Sequence, residues 1–427
     1  MDNFLYNVKR LIPVSLFKMI QPPYHFLLSL IGAIYYQFPS KEITVIGVTG
    51  TKGKSTVVEL INAIFEADGK RTAVAGTIRF KIGEKSERNM YKMTMPGRFF
   101  VQRFLRDAVN AGCDVAIIEM TSQGVLQYRH KFIHLDALVF TNISPEHIES
   151  HGSYEKYIAA KLELARALEA SRKRPRYMIA NRDDENGMAF LETKVEYSLP
   201  YGLSDLELHT LNKDDISLVI EGSTIRVPLI GLFNVYNTLA ALTCARAFGV
   251  PLKTINTALT NLSPIKGRVE RFKTPKNAER KVTAVVDYAH TPDSLEKLYM
   301  AFEKEKKVCV LGNTGGGRDT WKRPEMARIA HKYCDRIILT NEDPYDEDPA
   351  KIIDDMVRGI DSDAKLTIIM DRRKAIHTAL EEAPNGSVVI ISGKGTDPYI
   401  MGPHNTKTPW SDAKVVQQEM TALFGEG

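Results

Sequence analysis

A glycine-rich segment that also carries lysine and serine is the part of this chain that points most directly to chemistry. Residues 47–56 read GVTGTKGKST, after the apolar run 43–46 and before a helical pattern of apolar residues. Glycines allow backbone N–H groups to close around phosphate oxygens, and the N-terminus of a helix adds positive potential. Lys54 can reach the terminal phosphates, and the Ser55 hydroxyl suits Mg²⁺. The segment therefore predicts chemistry on a nucleoside triphosphate.

This loop departs from the strict phosphate-binding pattern in one respect. That pattern places its first glycine at position 48, where this chain has Val48, and Gly47 lies one residue too early. An ordinary turn is the alternative interpretation of so short a loop. The strand before it and the helix after it are the context that the motif requires, and they favour the nucleotide site.

Polar clusters follow two other predicted strands. Glu119 comes after the apolar run 115–118, and a segment with two histidines, His147 and His151, follows the run 137–140. Ligands of open α/β sheets bind beyond the carboxyl ends of the strands, so we expect Glu119 and His147 to face the phosphate loop and hold Mg²⁺. Histidine is a less usual ligand for this ion, which prefers oxygen. A single histidine is more often structural, whereas two in one strand-end loop favour function.

Two further strand ends in the second half of the chain carry weaker signals. Asp287 and His290 lie in the stretch DYAHT, whose other interpretation is a helix N-cap at Thr291 or Asp293. Residues 312–319 read GNTGGGRD and suit either an anion-binding loop or a plain turn. Neither stretch identifies an activity by itself.

The composition is that of a globular protein in a reducing compartment. The chain has 427 residues, enough for two or three domains, and is 44% hydrophobic and 26% charged. A net charge of +5 is small for this length, which suits anionic ligands but not a nucleic-acid surface. The cysteines form no CxxC pair, which argues against a disulfide framework or a zinc ribbon. They are Cys113, Cys244, Cys309 and Cys334.

The N-terminal segment is unusually apolar. Residues 24–38 read YHFLLSLIGAIYYQF without a charge, between Pro22-Pro23 and Pro39, and basic residues precede them. The run is shorter than the roughly 20 residues that a spanning helix needs, and it lacks a signal-peptide cleavage site. A helix packed on the catalytic domain, a peripheral contact with a membrane and a true span are the three interpretations, in that order.

Strands and helices alternate from residue 41 onward, which is typical of a doubly wound α/β fold. We predict an apolar helical segment at 1–40, a P-loop-type central ATPase domain at 41–265 and a Rossmann-like C-terminal domain at 266–427. Within the central domain, residues 194–230 predict a small antiparallel addition that begins with a strand at 195–198. The other strands are predicted at 43–48, 115–118, 137–140, 177–180, 283–287, 307–311, 336–340, 366–369 and 388–391.

Taken in order, these motifs resemble those of the Mur ligase family, and within it the UDP-N-acetylmuramoyl-tripeptide synthetase branch. The similarity extends from about residue 43 to the C-terminus, and it includes the stretches FNVYN at 233–237 and GKG at 393–395. It implies a ligase that uses ATP and forms ADP. Such an enzyme joins an amino acid to the carboxylate of a muramyl-peptide-like acceptor through an acyl phosphate.

The resemblance also implies roles for individual residues. Lys54, His147 and Lys161 are the implied catalytic residues, and Ser55, Glu119, His147 and Lys161 the implied ligands of two Mg²⁺ ions. Lys161 sits where the family has a carbamylated lysine, whose oxygens can bind a cation that a bare ammonium would repel; an exposed helix lysine is the alternative. ATP is assigned to Gly50, Thr51, Lys52, Gly53, Lys54, Ser55, Thr56, Asn237, Arg268, Asp287 and His290. The acceptor and the amino acid are assigned to Thr121, Ser122, Arg129, Asp343, Lys394 and Asp397.

Departures from the family pattern concern the substrates more than the reaction. Only about 40 residues precede the phosphate loop, so we expect the family's uridine-nucleotide-binding domain to be missing and the acceptor to be lipid-linked or shortened. Tyr345 replaces the arginine of the Asp-Asn-Pro-Arg motif, which would pair with the distal carboxylate of diaminopimelate. Thr396 and Asp397 follow Gly-Lys-Gly where the family has His-Glu. Diaminopimelate is therefore a poor candidate for the added amino acid.

Two other functions remain open from the sequence. One is a folylpolyglutamate- or cyanophycin-type ligase of the same superfamily, and the other is a P-loop NTPase switch, in which Glu119, His147 and Lys161 have no evident task. We expect a cytoplasmic enzyme, with membrane association at the inner face as the alternative. We expect no nucleic-acid partner.

Overall fold

A computed structural model describes residues 14–146, 148–317, 319–361 and 365–425 of the chain. His147 lies outside the described residues. The first half of the chain is built on an eight-stranded sheet, in the order β4-β3-β2-β5-β1-β6-β7-β8, which is parallel except at β3 and β4. Its strands are β1 (Thr44–Thr49), β2 (Thr72–Ala75), β3 (Arg79–Ile82), β4 (Lys85–Arg88), β5 (Val115–Glu119), β6 (Ala137–Phe140), β7 (Tyr177–Asn181) and β8 (Tyr197–Tyr201).

Helices cover both faces of this sheet because its central strands are apolar on both sides. Ile46 and Val48 face a core built with three of the helices, and Val45 faces the opposite core. Such runs are typical of a parallel sheet that is buried on both faces. The helices are α1 (Val14–Tyr35), α2 (Lys54–Ala67), α3 (Arg98–Asn110), α4 (Ser122–Leu126), α5 (Ile148–His151), α6 (Tyr154–Glu169), α7 (Gly187–Leu191), α8 (Leu232–Ala247) and α9 (Leu252–Thr260).

A three-stranded antiparallel sheet is added to the first core. Its strands are β9 (Leu208–Leu211), β10 (Ile216–Ile220) and β11 (Ser223–Val227). The predicted addition is therefore present, but the strand expected at 195–198 does not belong to it. That segment contributes instead to β8, which pairs in parallel with β7 in the large sheet. Short strands look alike in sequence, and pairing with a distant neighbour decides which sheet each one joins.

The second half of the chain forms a six-stranded sheet in the order β12-β13-β17-β14-β15-β16, in which β12 alone is antiparallel to its neighbour. The strands are β12 (Glu270–Lys273), β13 (Val282–Val286), β14 (Lys307–Leu311), β15 (Arg336–Leu339), β16 (Leu366–Ile368) and β17 (Ser387–Ile391), and a hairpin β18 (Tyr399–Met401) with β19 (Lys407–Pro409) follows. The helices are α10 (Pro292–Met300), α11 (Lys322–Tyr333), α12 (Pro349–Val357), α13 (Arg372–Glu381) and α14 (Asp412–Phe424). The predicted α/β class is confirmed, and the boundaries at 40–41 and 265–266 stay predictions.

Helix α1 extends further than the sequence predicts, since it begins at Val14 and continues through Pro22 and Pro23. It packs against α3 and the segment after α4. The Ser29 hydroxyl, for example, donates to the carbonyl of Tyr128 at 2.8 Å. Within the described part of the chain, no helix combines the length and the apolar character that a membrane crossing requires.

One disulfide contradicts the expectation from cysteine spacing. Cys309 on β14 is bonded to Cys334 at the end of α11, while Cys113 and Cys244 are free and buried. The two bonded cysteines are 25 positions apart in sequence. They become neighbours only because α11 folds back beside β14, so no short cysteine spacing in the sequence predicts the bond.

Candidate active site

The phosphate loop is held in shape by glycines and by the end of β6. Gly50 has φ +142° and Gly53 has φ +83°, and a Cβ atom at Gly53 would lie 2.2 Å from Oδ1 of Asn237. The amide of Thr51 donates to the carbonyl of Asn142 at 2.7 Å, and the amide of Lys52 donates to its side-chain oxygen at 3.0 Å. Left-handed backbone and close approach both require glycine here. The loop is therefore fixed before any ligand binds.

Two lysines converge on this loop. Lys54, in the first turn of α2 with the buried Thr56, donates to the carbonyls of Gly50 and Thr51 at 3.0 and 2.9 Å. Lys161 of α6 donates to the same Gly50 carbonyl at 2.6 Å and is buried, so it is not the exposed helix lysine of the alternative interpretation. Burial lowers the pKa of Lys54, and burial with the neighbouring Lys54 charge holds the pKa of Lys161 well below its ordinary value.

Glu119 lies beside the phosphate loop, as the strand-end argument predicts. Its Oε2 accepts from the Ser55 hydroxyl at 3.1 Å and from the Thr77 amide at 2.9 Å. Arg268, from the second half of the chain, donates to the same Ser55 hydroxyl at 3.0 Å and stacks on the ring of Tyr288. A carboxylate, a hydroxyl and a guanidinium therefore meet at one end of the loop.

Glu146 is a site residue that sequence reasoning missed. Its Oε1 accepts from Lys52 at 3.1 Å and lies 3.1 Å from Nε2 of His290, so it joins the phosphate loop to the second half of the chain. Its position next to His147, after an apolar strand, was the available signal.

Asn237 and Asp287 take up supporting positions around the loop. Asn237 lies against Gly53 and donates to Asn234 at 2.9 Å. The carboxylate of Asp287 accepts from the amides of Val269 and Ala289 at 2.8 and 2.7 Å, which fixes the turn that carries Arg268. Burial raises the pKa of Asp287.

The predicted acceptor residues share one region but have different local partners. Thr121 caps α4 by accepting from the amide of Gly124, and the Ser122 hydroxyl lies 3.1 Å from Nε2 of the buried His151. Arg129 donates to the carbonyl of Met95. Burial, followed by the charge of Arg98, lowers the pKa of Arg129 to about 10.

A compact group of four charged side chains, here called the charge cluster, joins the two halves of the chain. Lys92 approaches Asp343 at 2.6 Å and Asp397 at 3.1 Å, and Lys394 approaches the same two residues at 2.8 and 3.5 Å. Asp343, Lys394 and Asp397 are among the substrate residues that the family resemblance implies. Lys92 was missed, because it lies in a segment with no recognisable motif.

The charge cluster and the phosphate loop are connected through the Arg268 turn. A Cβ atom at Gly267 would lie 2.7 Å from the backbone of Gly395 and Thr396, next to Asp397, while Arg268 reaches Ser55. The predicted nucleotide and amino-acid residues therefore belong to one continuous site.

The residues present fit Mg²⁺ beside the loop. Ser55 and Glu119 supply oxygen donors, which this ion prefers. Among the described residues, no group of three or more His, Cys, Asp or Glu side chains is arranged to hold a metal ion. Phosphate oxygens and water can complete the coordination of the ion.

Comparisons with known proteins agree with this geometry. Residues 48–245 match the family described as Mur ligase middle domain, and residues 267–395 match Mur ligase, glutamate ligase domain. The chain belongs to the Mur ligase family. The resemblance drawn from the motifs is confirmed, and the chain is an ATP-dependent carboxylate–amine ligase. A P-loop switch without ligase chemistry is set aside.

Three similar Mur ligases illustrate the match. A UDP-N-acetylmuramoyl-L-alanyl-D-glutamate--2,6-diaminopimelate ligase of Geobacillus thermodenitrificans is 34% identical over 406 residues, which cover 92% of this chain and 82% of that protein. A UDP-N-acetylmuramyl-tripeptide synthetase of a Roseiflexus species is 34% identical over 423 residues, covering 93% and 82%. A solved structure of a UDP-N-acetylmuramoyl-L-alanyl-D-glutamate--2,6-diaminopimelate ligase has a TM-score of 0.61 at 28% identity. The match covers 93% of this chain and 83% of that one.

Proposed function

We propose that this Mur ligase adds an amino acid to the free carboxylate of a muramyl-peptide acceptor. The observation that carries the proposal is the continuity of the site: the Arg268 turn touches Ser55 of the phosphate loop on one side and lies against Gly395 and Thr396, beside the charge cluster, on the other. The names of the relatives support the acceptor class.

The reaction that fits this arrangement has two steps. An oxygen of the acceptor carboxylate attacks the γ-phosphorus of ATP, forming an acyl phosphate as ADP leaves. The neutral amine of the amino acid then attacks the acyl carbon, the amide bond forms as inorganic phosphate leaves, and the amine loses one proton. In this proposal Lys54 and Arg268 stabilise the charge that moves with the phosphoryl group.

The other predicted residues divide between the two substrates. The phosphate loop, Asn237, Asp287 and His290 hold the nucleotide. The acceptor contacts Thr121, Ser122 and Arg129, and the amino acid contacts Asp343, Lys394 and Asp397. Glu146 positions Lys52 and His290, since it touches both.

Mg²⁺ would be held by Ser55, Glu119 and His147, and it would screen charge on the phosphate oxygens. Lys161 suits a carbamate, because burial and the Lys54 charge favour its neutral amine. That amine can bond to the carbon of CO2 and release one proton, which leaves two oxygens beside the loop.

ADP release tests the ligase. We expect wild-type enzyme to form ADP only when ATP, an acceptor and an amino acid are all present, with UDP-linked and lipid-linked muramyl dipeptides as parallel acceptors. Folate with glutamate is the comparison for the folylpolyglutamate-type alternative. ADP release with folate and not with either muramyl acceptor would contradict the proposal.

We also propose that α1 contacts an anionic membrane surface at the cytoplasmic face. Five side chains with helical spacing form one exposed face, each 43% to 58% exposed. They are Ile20, Tyr24, Leu27, Ile31 and Ile34. The first 41 residues carry four basic residues and one acidic residue, which favours anionic lipid over a neutral surface. Such a contact would bring the enzyme close to a lipid-linked acceptor.

Vesicle sedimentation tests this contact. We expect wild-type protein to sediment with phosphatidylglycerol vesicles more than with phosphatidylcholine vesicles, and the double variant Leu27→Glu, Ile31→Glu to remain in solution. Leu208→Glu, at an equally exposed leucine on β9, is the matched control. If the protein dimerises through this face and sediments with neither kind of vesicle, the membrane contact is refuted.

A further inference from the structure

The charge cluster contains a lysine from the first half of the chain where two carboxylates face each other. The ammonium of Lys92 lies 2.6 Å from Asp343 and 3.1 Å from Asp397. Lys394 pairs with the same two carboxylates and also donates to the carbonyl of Tyr399 at 2.6 Å. Two lysines therefore balance two aspartates, and the four side chains are at most 15% exposed.

Lys92 is presented to the cluster by a fixed turn. Its backbone is left-handed, with φ +50°. The buried Asn89 holds the turn together: its amide group donates to the carbonyls of Gly76 and Met93 at 2.9 and 3.0 Å, and its oxygen accepts from the amide of Tyr91 at 2.8 Å. The Lys92 ammonium is thus carried by a hydrogen-bonded turn and not by a flexible surface loop.

The ammonium of Lys92 stays charged in this position. Burial alone would lower the pKa of Lys92, but the carboxylates of Asp397 and Asp343 outweigh it and raise the pKa above its ordinary value. A cation from a substrate that entered between the same carboxylates would meet two ammonium groups and no free negative charge. Repulsion and incomplete pairing would both oppose its binding.

We propose that Lys92 is a specificity-determining residue that fills, with its own ammonium, the place where a second ammonium on the amino acid would bind. The inference rests on the proposed function, because it takes the charge cluster as the amino-acid end of the site. The enzyme accordingly discriminates against amino acids that carry a cationic side chain, and removal of Lys92 opens a place for one.

L-Lysine and L-norleucine are the probes that isolate this effect, because they have equally long side chains and differ in the terminal ammonium. Calorimetry in the presence of ADP measures the binding of each to wild type, Lys92→Ala and Lys92→Met. We expect wild type to bind lysine no more tightly than norleucine. In both variants we expect the ratio of the two affinities to shift at least tenfold toward lysine, and ethylamine to reverse the shift in Lys92→Ala by refilling the place.

Two controls separate this role from general damage. Lys92→Arg keeps the charge and should keep the wild-type preference, and Lys85→Ala removes an exposed lysine of the neighbouring strand β4 and should change neither affinity. If neither Lys92→Ala nor Lys92→Met shifts the ratio, or if neither variant binds lysine, the inference is wrong. The ADP-release assay with wild-type enzyme judges the proposed function independently, since it requires no Lys92 variant.

Discussion

The proposed phosphate end and the proposed amino-acid end of the site are built in different ways. At the phosphate end, residues 50–56 form one continuous segment whose backbone is anchored to Asn142 at the next strand end. At the amino-acid end, the charge cluster gathers side chains from distant segments, and Lys92 is 251 positions from Asp343. The shape of the phosphate end therefore depends on backbone geometry, whereas the arrangement of the amino-acid end depends on the balance among buried charges.

A substitution at the phosphate end should have the largest effect, because it disturbs that geometry directly. In Gly53→Ala the new Cβ must displace Asn237, whose Oδ1 would lie 2.2 Å away, and the backbone has φ +83°. A displacement of about 1 Å in a catalytic group can cost about 10²-fold in rate. We expect kcat/KM for ATP to fall by about 10²-fold in the ADP-release assay.

Gly69→Ala is the matched control for this variant. Gly69 has φ +79°, follows the same helix α2 and has open space around its Cβ position. It should cost about 1 kcal/mol of unfolding free energy for the left-handed backbone and leave kcat/KM unchanged. Equal losses of activity in the two variants would show that positive φ alone, rather than loop geometry, matters.

A charge change at the amino-acid end should have a smaller and more selective effect. Asp343→Asn keeps the shape of the side chain but removes a charge that Lys92 and Lys394 share. A hydrogen bond to a charged group contributes about 1.5 to 3 kcal/mol, so we expect KM for the amino acid to rise about tenfold or more. KM for ATP should stay within about twofold, since the phosphate loop is untouched.

Asp346→Asn, an exposed position in the same loop, provides the comparison and should change neither KM. A rise in both KM values for Asp343→Asn would mean that the charge cluster holds the two halves of the chain together rather than one substrate. The two ends would then not be separable by mutation.

The phosphate end could be predicted from sequence because its information is local. The first strand, the glycines, Lys54 and Ser55 follow one another in the sequence. A hydrophobic run predicted the strand that ends at Glu119, and the structure brings Glu119 next to Ser55. The role of Lys161 near the loop followed only from family resemblance; the structure places its amine against the Gly50 carbonyl, and the carbamate stays a prediction.

The amino-acid end could be predicted only in part, for the opposite reason. Lys92 has no motif around it, and its two carboxylates lie in loops after β15 and β17, so folding alone brings the three together. The assignment of β8 to the large sheet and the Cys309–Cys334 bond could not be predicted for the same reason. Each depends on a long-range neighbour that no local pattern records.

Buried lysines at the two ends should differ in how their contribution to stability depends on pH, which is the smallest expected effect. The pKa of Lys161 is lowered, so between its folded value and about 10.4 the unfolded chain binds more protons and stability rises with pH. The pKa of Lys92 is raised, so its contribution is complete below its unfolded pKa and is lost only as pH rises through the folded one. Above the folded pKa of Lys161 and below about 10, Lys161 alone of the two therefore contributes a slope.

Denaturant unfolding at pH 7, 8 and 9 in CO2-free buffer measures these slopes. Relative to wild type, we expect the increase of unfolding free energy with pH to be smaller by about 1 kcal/mol per pH unit in Lys161→Met, because one titrating group is removed. Lys92→Met should lose stability by the same amount at all three values, so that its slope matches wild type. A wild-type slope in Lys161→Met would mean that this lysine is charged when folded, and a buried ammonium there could neither form a carbamate nor stand beside Mg²⁺.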